Sequence, residues 1–140
     1  MRKLGIDYGD ARVGIAITDP LNITVQGLET IQRKGSDKVV LRRLDEILDK
    51  YEIDTIVVGM PLNLKGEKTV RAEVTEKFIH KLKCKYNKIK IVAVDERLTT
   101  VSAHKTMNFL DINKNKKRDI VDTISAVYIL ETYMGQVSNK

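Results

Sequence analysis

Three acidic residues stand at positions from which their carboxylates could act together. Asp7 follows a short hydrophobic run, Glu96 follows the apolar run 89–94, and Asp122 lies in an apolar segment with helical spacing near the C-terminus. Carboxylates that are brought together repel one another unless a cation neutralises them. Oxygen ligands without His or Cys suit Mg²⁺ or Mn²⁺, and two such ions about 4 Å apart can activate a water and stabilise the leaving oxygen of a phosphodiester. The residue types therefore indicate phosphodiester hydrolysis with two metal ions.

Each acid also has a purely structural interpretation when it is taken alone. Asp7 could cap a turn, Glu96 could pair with Arg97, and Asp122 could be a solvated helix residue. Asp119 stands three residues before Asp122, so the two carboxylates share one face of a helix. Asp119 is either a fourth metal ligand or a favourable negative charge in the first turn of that helix, and the second interpretation is preferred.

The order of the predicted elements explains how the acids could meet. The apolar patterns predict five strands, at 4–6, 13–18, roughly 23–31, 54–60 and 89–94, and four helices, at 36–51, 70–86, 99–110 and 118–134, with a loop at 111–117. Three consecutive strands joined by short turns should form an antiparallel meander, and helical crossovers should then add two parallel strands. The prediction is an α/β fold with a mixed five-stranded sheet in the order 3-2-1-4-5 and helices on both faces.

The first strand is central in this sheet, and Asp7 stands at its carboxyl end. Ligands of such sheets collect beyond the carboxyl ends of the strands, where the strand order reverses. The strand before Glu96 runs parallel to the first, so both carboxylates should emerge at the same edge. Ser125 and Ala126 are small residues one turn beyond Asp122 and should let the last helix approach the sheet closely.

The composition is typical of a soluble globular domain. The chain has 140 residues, of which 42% are hydrophobic and 31% charged. No apolar run approaches the roughly 18 residues of a membrane span, and Met1 leads into a strand rather than a secretion signal. The single cysteine, Cys84, cannot form an internal disulfide. These features favour a reducing cytoplasm.

Basic residues supply candidate contacts to phosphate. The net charge is +6, and lysines and arginines crowd into 80–90 and 113–118, although a solvated lysine-rich surface would explain them too. Guanidinium groups suit phosphate oxygens. The candidates are Arg12, Arg97, Lys117 and Arg118, together with Asn63 and Lys65 of the segment "GMPLNLKG". That segment could equally be a well-formed loop between a strand and a helix.

Four motifs occur in order along the chain: "GIDYGDARVGIAITD", "IVVGMPLNLKGEKT", "VDERLTT" and "VDTISAVYIL". On these motifs the sequence resembles the YqgF/RuvX family of the RNase H-like superfamily, whose members are described as pre-16S rRNA nucleases and, earlier, as Holliday junction resolvases. The resemblance covers essentially the whole chain and implies a single RNase H-like nuclease domain over residues 1–140. It also implies that Asp7, Glu96 and Asp122 bind the metal ions and carry catalysis.

The resemblance implies a metal-dependent nuclease that processes the 5′ end of pre-16S rRNA in the cytoplasm, as a monomer or homodimer. One alternative is a Holliday junction resolvase, which would apply the same chemistry to branched DNA. A second is an ATP-binding domain of the actin, Hsp70 or sugar-kinase type, which would need two such domains around the nucleotide. A third is a non-catalytic nucleic-acid-binding module, against which the presence of all three acids speaks.

Overall fold

The fold is organised around a five-stranded mixed sheet. The computed structural model describes residues 1–63, 65–95 and 114–138, without the side chains of 114–122 and 138. The strands are β1 (Arg2–Tyr8), β2 (Arg12–Thr18), β3 (Val25–Gln32), β4 (Ile53–Met60) and β5 (Lys90–Asp95). Their order across the sheet is β3-β2-β1-β4-β5. The predicted order is confirmed.

The direction of each strand follows from the length of its connection. Short turns join β1, β2 and β3, which pair antiparallel. Helical crossovers precede β4 and β5, so β1 and β4 pair parallel, as do β4 and β5. The carboxyl ends of β1, β4 and β5 consequently meet at one edge of the sheet, which we call the carboxyl edge.

Two helices begin with side-chain caps that the sequence specifies. Helix α1 (Asp37–Lys50) starts after Ser36, whose hydroxyl accepts a hydrogen bond of 3.2 Å from the backbone N–H of Lys38. Helix α2 (Val70–Lys85) starts after Thr69, whose hydroxyl accepts from the N–H of Ala72 at 3.2 Å. The capping role predicted by placing the first helix at Ser36 is confirmed.

The last helix is longer than predicted. Helix α3 (Lys114–Ser138) includes most of the segment 111–117 that was predicted as a loop, and it extends past residue 134. Lysine is a good helix former, and a turn added to an existing helix avoids the cost of nucleation. The absence of an apolar period at 111–117 therefore did not mark the N-terminal boundary of this helix. The predicted short helix at 99–110 lies outside the described residues.

The helices cover both faces of the sheet. Helices α1 and α2 pack on one face, where side chains of alternate strand positions such as Leu4, Ile6 and Tyr8 are buried with Leu44 and Phe78. Helix α3 packs on the other face and forms a smaller core. None of the helices in the described part of the chain is long and apolar enough to cross a membrane.

Helix α3 lies unusually close to the sheet. A Cβ atom added to Gly5 would lie 2.9 Å from both the carbonyl oxygen of Ala126 and the Cβ of Leu130. A Cβ atom on Gly27 would lie 2.2 Å from Cγ2 of Thr123. Ser125 and Ala126 are buried, as their small size led us to expect. The close approach therefore depends on glycines in the strands where they meet Thr123, Ala126 and Leu130 of the helix.

Candidate active site at the carboxyl edge

Asp7 lies on the central strand, one residue before the end of β1, and is half-buried. Its strand neighbours Ile6 and Tyr8 enter the core beneath α1 and α2, so the Asp7 side chain lies on the face covered by α3. This is the position that the strand order predicted for it.

Both strands that flank Asp7 have glycine at its level. Gly14 of β2 is directly opposite Asp7. On the other side Ile6 pairs with Val58, so the next residue of β4, Gly59, comes beside Asp7 and shares its face. Neither neighbouring strand therefore places a side chain next to this carboxylate. We call this part of the sheet, where the strands beside Asp7 carry no side chain, the glycine gap.

A hydrogen bond fixes the N-terminal half of α3 at the level of the glycine gap. Thr30 of β3 pairs with Gly14, which puts it at the level of Asp7. The hydroxyls of Thr30 and Thr123 are 2.8 Å apart and share a hydrogen bond. Because Thr123 directly follows Asp122, the backbone of Asp122 is held at this end of the sheet. Its side chain lies outside the described residues.

The longer helix changes the interpretation of Asp119. The preferred explanation for this residue was a negative charge in the first turn, which assumed that the helix began near Arg118. Helix α3 begins at Lys114, and its first turn contains no acidic residue. Favourable interaction with the helix dipole falls off within the first turn, so this explanation was wrong. The role of Asp119 as a metal ligand stays a prediction.

The remaining predicted ligand, Glu96, comes directly after β5, which ends at Asp95 opposite Met60. Glu96 and Arg97 lie outside the described residues. Among the side chains that the structure describes, no three His, Cys, Asp or Glu residues lie close enough to hold a metal ion. The metal site therefore stays a prediction, because Asp7 is the only one of its four proposed ligands within that set.

The turn after Asp7 brings Arg12 to the same edge. The N–H of Gly9 donates to the carbonyl of Arg12 at 3.0 Å, and a Cβ on Gly9 would lie only 2.5 Å from that oxygen. Gly9 therefore makes room for the backbone of the turn itself. Arg12 begins β2 two residues before Gly14, so it lies on the same face as Asp7. The position suits a guanidinium group that contacts phosphate.

Asn63 organises a loop. Its side-chain oxygen accepts from the N–H groups of Lys65 and Glu67, at 3.0 and 2.9 Å. Gly66 completes the turn with a φ of +79°, a conformation that favours glycine. The structural interpretation of Asn63 is therefore the better supported one, whereas Lys65 is exposed. Lys117 and Arg118 belong to α3, and their side chains lie outside the described residues.

An ion-pair network that the sequence did not reveal supports β1 from the opposite face. The ring of Tyr8 stacks on Phe78 with centroids 4.1 Å apart, and its hydroxyl donates to Asp37 Oδ1 at 2.5 Å. Arg33 Nε donates to the same oxygen at 2.9 Å, and Lys81 Nζ donates to Oδ2 at 2.8 Å. The network joins β1, α1 and α2.

The same network reaches the turn beside Asp7. The guanidinium of Arg33 donates to the carbonyl of Asp10 at 3.1 Å, and its backbone N–H donates to the carbonyl of Ala11 at 2.9 Å. The turn is thus held by Arg33 while Arg33 is held by Asp37. No sequence motif signals this arrangement, because its members come from β1, the segment after β3, α1 and α2.

Removing the charge of Asp37 should lower the free energy of unfolding at neutral pH but not at strongly acidic pH. Burial raises the pKa of Asp37, but hydrogen bonds from Lys81, Tyr8 and Arg33 outweigh it and leave the pKa below its ordinary value. Stability from this group is therefore present above the unfolded pKa of about 3.9 and is lost as the pH falls through the folded pKa. We expect Asp37→Asn to lower the free energy of unfolding by about 1–2 kcal/mol at neutral pH.

Urea unfolding of both proteins between neutral and acidic pH would measure this difference. The gap between wild type and Asp37→Asn should narrow as the pH falls. Asp49→Asn removes an exposed carboxylate from the same helix and should change the unfolding free energy by less than about 0.5 kcal/mol. Equal effects of the two substitutions would contradict a special role for the network.

Comparison with known proteins adds a sequence family. The profile of the RuvX family, described as "Holliday junction resolvase", matches residues 1–136. A protein named "Putative pre-16S rRNA nuclease" from Ruminiclostridium cellulolyticum is 51% identical over 138 residues, which cover 99% of this chain and 96% of that protein. A protein of the same name from Acetivibrio thermocellus is 48% identical over 134 residues, covering 96% and 95%.

Solved structures add the fold. The fowlpox virus Holliday junction resolvase superposes with a TM-score of 0.58 at 14% identity, covering 98% of this chain and 99% of that one. Thermus thermophilus RuvC, in complex with a Holliday junction substrate, gives a TM-score of 0.57 at 12% identity, covering 99% and 96%. At such low identity the similarity shows a shared architecture. The predicted RNase H-like fold is confirmed.

Proposed function

From the premise that the chain belongs to the RuvX family, we propose that it is a metal-dependent nuclease that processes the 5′ end of pre-16S rRNA during ribosome biogenesis. The observation that carries the proposal is the place of Asp7, on the central strand and beside the glycine gap. The name shared by the curated relatives supports the choice of substrate. Pre-16S rRNA processing belongs to the cytoplasm, where an unpaired thiol such as that of Cys84 persists.

The proposed ligands fit a hard divalent ion. Asp7, Glu96 and Asp122 offer only carboxylate oxygens, and Asp119 would add a fourth. A side chain at position 14 or 59 would fill the space that the ion needs, and both positions are glycine. When bound, two Mg²⁺ or Mn²⁺ ions would supply activation of a water molecule and neutralise charge on the phosphodiester.

The protein itself contributes rigid placement and phosphate binding. A strand hydrogen-bonded on both sides holds the Asp7 carboxylate more precisely in place than a loop would. Arg12 would clamp a phosphate at the same edge through two parallel hydrogen bonds. Lys65, Arg97, Lys117 and Arg118 would extend this contact along the backbone, and Asn63 would shape the loop that presents Lys65.

Resolution of four-way DNA junctions is the second candidate function, as a monomer or, more naturally, as a homodimer that cuts two strands. The description of the RuvX family favours it. The acidic residues serve either substrate, because both reactions hydrolyse a phosphodiester through the same ions. The two functions therefore differ in the surfaces that recognise the substrate rather than in the catalytic residues.

A direct comparison of substrates tests the proposal. The protein would be incubated with Mg²⁺ or Mn²⁺ and either a 5′-labelled precursor rRNA fragment or a four-way DNA junction. We expect kcat/KM to favour the precursor RNA by at least about tenfold, a difference of about 1.4 kcal/mol in transition-state binding. EDTA should abolish cleavage, and RNA that already has the mature 5′ end serves as the control. A preference for the junction would favour the second function, and no cleavage of either substrate with either ion would contradict both.

A further inference from the structure

One of the two basic segments of the chain carries as much positive charge as the whole chain carries in excess. Residues 77–90 contain six lysines and no acidic residue. The whole chain has 25 Lys and Arg residues, so 19 lie elsewhere, and these equal the 19 Asp and Glu residues in number. The segment therefore accounts for the entire net charge of +6. It covers the second half of α2, the turn that follows and the first residue of β5.

The lysines of this segment fall into two groups. Lys81 and Lys85 face α1 and are paired with its carboxylates, Lys81 with Asp37 at 2.8 Å and Lys85 with Asp45 at 2.9 Å. The second group comprises Lys77, Lys83, Lys88 and Lys90, which we call the lysine strip. All four are exposed, and none forms an ion pair within the part of the chain that the structure describes. The ion pairs that join α2 to α1 therefore do not account for the lysines of the strip.

Helix-dipole compensation explains only part of the strip. Cations stabilise a helix in its last turn, which includes Lys83. Lys77 lies in the middle of α2, and Lys88 and Lys90 lie beyond its end.

Glu73 and Glu76 border the strip near Lys77 and Lys83, but Glu76 is paired with Lys68. The surface keeps an excess of positive charge, which suits a polyanion. We propose that the lysine strip is a second phosphate-binding surface for the nucleic-acid substrate, separate from the carboxyl edge.

The register of the sheet gives the separation of Lys90 from Asp7 within the plane of the sheet. Lys90 and Lys3 both pair with Thr55, so Lys90 is four strand positions from the level of Asp7 and two strands to one side. That is about 13 Å along the strands and about 10 Å across them, or roughly 16 Å in all. A duplex advances about 3.4 Å per base pair, so Lys90 would contact the substrate at least about five base pairs from the scissile bond. Lys77 and Lys83 lie on α2, which covers the face of the sheet opposite to the Asp7 side chain, so their contacts would lie farther along the substrate.

This separation makes the length of the substrate the critical variable. The inference rests on the proposed function, since it assumes that the bound nucleic acid also reaches Asp7. An RNA hairpin with a stem of about 20 base pairs would reach both surfaces. A hairpin with a stem of about 4 base pairs would reach the carboxyl edge alone. Their dissociation constants would be measured by fluorescence anisotropy over a series of salt concentrations, in an Asp7→Asn background with Mg²⁺ present.

The decisive variant is Lys83→Ala/Lys88→Ala. Loss of two phosphate contacts should reduce the slope of log K against log salt by about 2 and weaken binding of the long hairpin roughly 30- to 100-fold near 0.1 M salt. Binding of the short hairpin should change less than about threefold. In the Asp7-containing enzyme the same double substitution should raise KM for the long substrate and leave kcat unchanged.

A control with the same change of charge is available on α1. Arg42 and Lys50 are exposed and form no ion pair in the described residues, so Arg42→Ala/Lys50→Ala removes two charges away from the strip. This variant should leave the salt slope unchanged. Equal losses in both double variants, or equal losses on both hairpins, would overturn the proposal. Unchanged binding of the long hairpin by the strip variant would also overturn the proposal. The strip would then be expected to bind an acidic protein instead.

The binding and cleavage measurements separate this inference from the proposed function. Strip-dependent binding of a hairpin that the enzyme fails to cleave would refute the nuclease assignment and retain the binding surface. Cleavage of long and short substrates with equal KM, in wild type and in the double variant, would refute the binding surface and retain the nuclease.

Discussion

Asp7→Asn is expected to lower kcat/KM for phosphodiester cleavage by at least about 10³-fold, because several kcal/mol of charge stabilisation depends on a fully ionised ligand set. Asparagine has the shape of aspartate, so the half-buried position should accept it without a change of packing. The measurement is initial cleavage rate on the labelled precursor fragment over a range of substrate concentrations.

A neighbouring carboxylate gives the matched control for this variant. Asp10 is exposed in the turn that follows β1, and its side chain has no proposed role. Asp10→Asn should keep kcat/KM within about threefold of wild type. Thermal unfolding supplies an independent readout. Mg²⁺ or Mn²⁺ should raise the Tm of wild type and of Asp10→Asn, but much less that of Asp7→Asn. Cleavage by Asp7→Asn at the wild-type rate would remove Asp7 from the active site.

Gly5→Ala should lower the free energy of unfolding by about 2–3 kcal/mol. The added methyl group would lie 2.9 Å from the carbonyl oxygen of Ala126 and from Leu130 Cβ. A backbone oxygen cannot relieve the clash by changing rotamer, as the end of a side chain could. Helix α3 must therefore move away from β1. Since α3 also carries Asp122, we expect kcat to fall about tenfold at temperatures where the variant remains folded.

Gly135→Ala is the corresponding control on α3. A Cβ at this exposed position would have no atom within 4 Å. Replacing glycine with alanine inside a helix should raise stability by about 0.5–1 kcal/mol, so the same substitution has opposite signs at the two sites. Urea unfolding measures both changes. If Gly5→Ala were as stable as wild type, the close contact between β1 and α3 would not be a feature of the folded protein.

The sequence predicted the directions of the strands because local signals determine them: short turns join antiparallel neighbours, and helical crossovers join parallel strands. These connections alone do not decide whether β4 lies beside β1 or beside β3, and the order with β1 in the centre is the one that the resemblance to the YqgF/RuvX family implies. The place of Asp7 at the carboxyl edge follows in turn. The start of α3 could not be predicted, because the apolar period that marks a buried helix is missing where lysines extend it.

Features that depend on register or on distant partners were also beyond the sequence. The glycine gap appears only when Gly14 and Gly59 are aligned with Asp7, and a shift of one residue in either pairing would remove it. Asp37 and Tyr8 are 29 residues apart and meet because α1 folds over β1. The use of the Asn63 side chain within its loop likewise depends on the conformation at Gly66.

The position of β1 has a consequence for the order in which the protein loses its structure. This strand is hydrogen-bonded to a neighbour on each side and has side chains or backbone of helices against both faces, while Tyr8 anchors its end to α1 and α2. Such a strand exchanges its amide hydrogens only through global opening. The Asp7 carboxylate therefore keeps its position when loops or helix ends unfold locally. It loses that position only when the whole sheet unfolds cooperatively.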